Sequence, residues 1–62
     1  MFKIKRDEIG NVVAEFQDSD GRDCRIDFFG IDGCQMDIGD GYAVFDANEA
    51  VALAELIIER LS

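Results

Sequence analysis

Carboxylates dominate the reactive side chains of this chain: 14 Asp and Glu stand among 62 residues, with two cysteines, two serines and no histidine. Without histidine, neither a Ser-His-Asp nor a Cys-His site can be assembled. Paired carboxylates do acid–base work only where a pocket drives their pKa values apart, and a chain this short has little room for one. Asp18, Asp20 and Gly21 have the look of a calcium loop fragment. Aligning Gly21 with the sixth loop position, however, puts Phe16 where the first carboxylate ligand belongs, and Gly41 puts Met36 there. Cys24 and Cys34 are too few for a zinc site or a disulfide framework, and they read as reduced core thiols. The expectation is a protein that is not an enzyme and holds no cofactor or metal.

The charge balance points outward instead. The chain carries 14 acids against 6 bases, net −8, and three of those bases (Lys3, Lys5, Arg6) fall in the first six residues. Such a surface repels nucleic acid and anionic membranes and attracts basic proteins. Acidity also keeps a small protein soluble, which is the competing explanation. No secretory signal and no apolar run of ~18 residues is apparent, so the expected compartment is the cytoplasm.

The elements that must position these groups follow from the glycines. Glu8-Ile9-Gly10, Ser19-Asp20-Gly21, Ile31-Asp32-Gly33 and Gly39-Asp40-Gly41 each read as a three-residue hairpin loop ending on a left-handed glycine. They predict an α+β fold, a five-stranded antiparallel meander with one C-terminal helix packed on one face. The chain is then a single domain over 1–62, with strands near 2–7, 11–18, 22–30, 34–38 and 42–45 and a helix near 47–61. Asp46 suits the N-cap, with Glu49 completing a capping box.

Those loops make opposed residue numbers sum to 18, 40, 64 and 80, all even, so one parity class keeps one face through all five strands. Even positions (Phe2, Ile4, Val12, Ala14, Phe16, Cys24, Ile26, Phe28, Cys34, Met36, Ile38, Tyr42, Val44) make a core. Odd positions make an open face. On it Asp27 is expected opposite Asp37, an unfavourable like-charge pair. Phe29, Gln35 and Phe45 are expected in one row, giving two exposed aromatic anchors.

Phe16, Asp18, Gly21 and Cys24 form a Phe-x-Asp-x-x-Gly-x-x-Cys pattern that resembles a stretch found in small bacteriophage and prophage proteins. The whole profile, a tiny acidic β-rich domain, is similar to phage-encoded anti-CRISPR proteins. That resemblance implies a host bacterial cytoplasm and, as some of those proteins do, occlusion of a DNA-binding surface by nucleic-acid mimicry.

The function expected is therefore a small acidic inhibitor that occludes the basic surface of a nucleic-acid-binding machine without binding nucleic acid or membrane itself. Glu15, Asp27, Asp32, Asp37 and Asp40 would stand in for phosphates, with Phe29 and Phe45 as anchors. The alternative is a non-catalytic structural or interaction module, homodimeric through the open face. A dimer that buries Phe29 and Phe45 would favour the latter.

Overall fold

A computed structural model describes residues 2–62. Five strands, β1 (Lys3–Arg6), β2 (Val12–Gln17), β3 (Asp23–Phe28), β4 (Gly33–Ile38) and β5 (Gly41–Asp46), precede one helix, α1 (Ala47–Leu61). The strands form a single antiparallel sheet in sequence order, the expected meander.

The first two hairpins follow the loop reading. Lys3 opposes Glu15 and Val13 opposes Asp27, which are the sums 18 and 40. Gly10 and Gly21 close their loops at φ +93° and +84°. An aspartate precedes each loop and ties it. Asp7 Oδ1 accepts the N–H groups of Ile9 and Asn11 at 3.0 and 2.9 Å, and Asp18 Oδ1 accepts those of Asp20 and Arg22 at 2.9 and 2.8 Å. These are Asx turns, in which a short carboxylate replaces a backbone acceptor.

The last two hairpins differ. Cys24 opposes Ile38, a sum of 62 rather than 64, and the loop is Gly30-Ile31-Asp32 with Gly30 at φ +60°. Ile38 opposes Gly41, a sum of 79 rather than 80, and the connection is the two-residue Gly39-Asp40 with Gly39 at φ +57°. A left-handed glycine in the first central position is the type II′ solution for a two-residue hairpin. Gly41 does not take a positive φ, contrary to the sequence expectation. The 64-to-62 slip preserves parity. The odd sum at β4–β5 reverses it, so β5 presents Phe45 and Ala43 to the face where Tyr42 and Val44 were expected.

The helix begins as anticipated: Asp46 accepts the Glu49 N–H at 2.7 Å while Glu49 Oε1 accepts the Asp46 N–H at 3.0 Å. It lies over β4 and β5 and not over β1 or β2. Ala50, Leu53, Ala54 and Ile57 close on Ile26, Phe28, Cys34, Met36 and Phe45 around a cavity of about 210 Å³. Cys24 and Cys34 are buried free thiols on this side, paired across the ladder with Ile38 and Phe28.

Candidate functional site: a paired polar face with an acidic rim

The face away from the helix carries the charged residues of β1–β4 apart from Arg6. Strand pairing aligns Lys3, Glu15, Arg25, Asp37 and Tyr42 in one row across all five strands, so charge alternates in sign along it until the aromatic ring. Opposite charges facing each other across strands favour this register. The neighbouring row runs Lys5, Val13, Asp27, Gln35, Val44.

Ion pairs cross between the rows. Lys5 Nζ lies 2.9 Å from Glu15, and the Arg25 guanidinium 2.8 Å from Asp27. The Gln35 amide donates to Asp37 at 2.9 Å. The Lys5 ammonium holds the Glu15 carboxyl below its ordinary range, and Asp27 raises the Arg25 guanidinium. Val13 is 2% exposed although it sits on this face. Its ladder neighbours are Lys5 and Asp27, each held in an ion pair.

The seven candidate residues are therefore divided. The polar face gathers Glu15, Asp27 and Asp37. Asp27 opposes Gln35, not Asp37, and Asp37 opposes Arg25, so the expected like-charge pair is absent. Phe45 faces the helix and lines the apolar cavity. Phe29 lies beyond the end of β3 and shares the third turn with Asp32, whose N–H it accepts at 3.0 Å. Asp40 is at the opposite end of the sheet, in the last turn. No row of Phe29, Gln35 and Phe45 forms. Tyr42 and Val44 take the place expected for Phe45 and Ala43, at 71% and 58% exposure.

This placement moves the acidity. Lys3, Lys5, Glu15, Asp23, Arg25, Asp27 and Asp37 leave the polar face at only −1. The turns hold Asp7, Glu8, Asp18, Asp20, Asp32 and Asp40 against Arg22, and the helix with its cap holds Asp46, Glu49, Glu55 and Glu59 against Arg60. The surplus is on the rim. The turns carrying Asp20 and Asp40 adjoin, since a Cβ at Gly39 would stand 3.9 Å from Arg22 Cδ. Among the described residues, no group of three or more His, Cys, Asp or Glu could hold a metal ion, and no helix is long and apolar enough to cross a membrane.

Asp18 gives the rim its pH signature. The Arg22 N–H, assisted by the Arg22 side chain 2.8 Å from Oδ2, holds its carboxyl below the usual aspartate range. A carboxyl depressed on folding contributes stability that is complete above its unfolded pKa of ~3.9 and is lost as pH falls through the folded value. Asp18→Ala is thus expected to lower the urea midpoint at pH 7 and to lower it less near pH 2. An equal loss at both would separate the turn from its ionisation.

Comparison of the chain with protein-family models, curated proteins and solved structures returned no match.

Proposed function

We propose that this chain is a non-catalytic binding protein, an acidic inhibitor that sits on the cationic surface of a nucleic-acid-binding protein and occludes it. The observation that carries the reading is the separation of charge. Acids on the polar face are matched by the chain's own cations, while those of the turns and helix outnumber theirs ten to two. A rim of that kind is completed by cations from a partner, and charge complementarity of this sort sets partner choice and association rate. The exposed carboxylates best placed as phosphate surrogates are Asp32 and Asp40, with Glu55 and Glu59 on the helix, and Asp20, which is 79% exposed and only loosely held by Arg22 at 3.5 Å. Glu15, Asp27 and Asp37 act at second hand, by ordering the face between them.

The test is competition. The immobilised chain should retain a protein from bacterial lysate at low salt and release it at high salt, because exposed charges are screened beyond ~8 Å at physiological ionic strength. The free chain should displace labelled duplex DNA from the retained protein. Asp20→Lys with Asp40→Lys should abolish displacement, since each replaces attraction by repulsion without touching the core. Displacement that survives this double change, or retention insensitive to salt, contradicts the proposal.

A further inference from the structure

The helix leaves half of its own face bare. On β1 and its flank, Phe2 and Ile4 are 62% and 63% exposed, and Ile38 is also exposed at the far end of β4. Phe2 packs edge-on against Phe16 with ring centroids 4.7 Å apart, so the patch is ordered from within. The last turns of α1 also expose Ile57, Ile58 and Leu61, although Ile57 lies on the stripe that faces the sheet. Arg6 is the sole charged side chain at the even positions of β1–β4.

The chain as a whole exposes more surface than a monomer of its mass is expected to. The chain exposes 5096 Å², whereas a folded monomer of 6.9 kDa is expected to expose ~4,000 Å². Its radius of gyration is 12.1 Å against an expected ~11 Å. The excess of ~1,100 Å², summed over the whole molecule, is of the order of the ~800 Å² that each partner buries in a standard interface. A mainly apolar patch has little complement in a basic partner, whereas a second copy offers the same apolar surface.

We infer that a second copy of this chain covers the bare half of the helix-side face, giving a two-fold dimer through Phe2, Ile4, Phe16, Ile38 and the end of α1. In an isologous contact the same patch serves both copies. The polar face and most of the acidic rim stay outward, so each dimer presents two occluding surfaces. Two chains of net −8 repel, and salt screens that repulsion. Dimerisation therefore strengthens with salt, the reverse of partner binding, which keeps failure of one reading distinct from failure of the other.

Sedimentation velocity on the full chain at low and high salt tests this. The expected result is a species of twice 6.9 kDa whose fraction grows with salt. Ile4→Glu, and independently Phe2→Glu, should weaken association at least ~10-fold while circular dichroism shows the protomer folded, and Tyr42→Glu on the polar face should leave the dimer intact. A parent that stays monomeric at high concentration in both salts overturns the inference. So does dissociation by Tyr42→Glu with no effect from folded Ile4→Glu or Phe2→Glu.

Discussion

Gly33→Ala should lower the stability of this domain by ~3 kcal/mol or more, a large share of the ~3–9 kcal/mol expected for its length. Gly33 sits at φ +149°, which disfavours any side chain. A Cβ there would overlap the Phe45 carbonyl oxygen and stand 3.0 Å from the Asp46 Cα. Both are backbone atoms at the β5–α1 junction, so no rotamer can yield and the helix itself must shift. Gly41 is the contrast, because its φ is not positive and the nearest atom to an added Cβ, the Ile38 oxygen, lies 3.8 Å away. Gly41→Ala should change stability by no more than ~0.5 kcal/mol. Urea midpoints for the two variants measure the difference, and equal midpoints would mean that β4 and β5 are not paired as described.

Phe45→Ala carries the second large effect. Phe45 lines the apolar cavity with Leu53, Ala54 and Ile57, so truncation enlarges an existing void under the helix. The expected cost is ~2–3 kcal/mol, below the ~3–5 kcal/mol of a fully buried phenylalanine because this ring is only half-buried. Tyr42→Ala, at a 71% exposed position on the other face, should stay within ~0.5 kcal/mol. Strict alternation along the sequence gives the reverse order, since it puts Tyr42 in the core and Phe45 in solvent. Comparable losses at both positions would leave the face assignment of β5 unsupported.

The difference between the two halves of the sheet has a local physical cause. Asp7 and Asp18 each stand one place before a three-residue loop and accept two backbone N–H groups, and there the register follows the loop reading. The corresponding residues before Ile31 and Gly39 are Gly30 and Ile38, which have no side-chain acceptor. Without that tie the chain turns at the first glycine available, Gly30 and then Gly39. Glycine spacing was enough for strand number and order, and the Asp46–Glu49 capping box marked the start of the helix. The aspartate before the loop was the additional signal that separated the two kinds of turn.

The candidate site was legible only as far as those registers reach. Pairing of Glu15 with Lys3 and Arg25 depends on β1–β3 and follows from the sequence. The partners of Asp37 and the side of Phe45 depend on the β3–β4 and β4–β5 turns, where a two-residue slip and then a one-residue slip intervene. The first replaces a supposed Asp27–Asp37 repulsion with an Arg25–Asp37 attraction. The second exchanges Phe45 for Tyr42 and Val44 on the polar face. How little of the sheet α1 covers is set by tertiary packing, and strand periodicity has no bearing on it.

The two-faced account, a paired polar face on one side and an apolar contact face shared with the helix on the other, depends most directly on the phase of β5. Nuclear Overhauser contacts from the β5 side chains to α1 in the isotope-labelled chain report that phase. The account predicts contacts from the Phe45 ring to Leu53, Ala54 and Ile57, with none from Tyr42 or Val44 to the helix. Contacts from Tyr42 and Val44 to those helix residues, with Phe45 free of them, would contradict it.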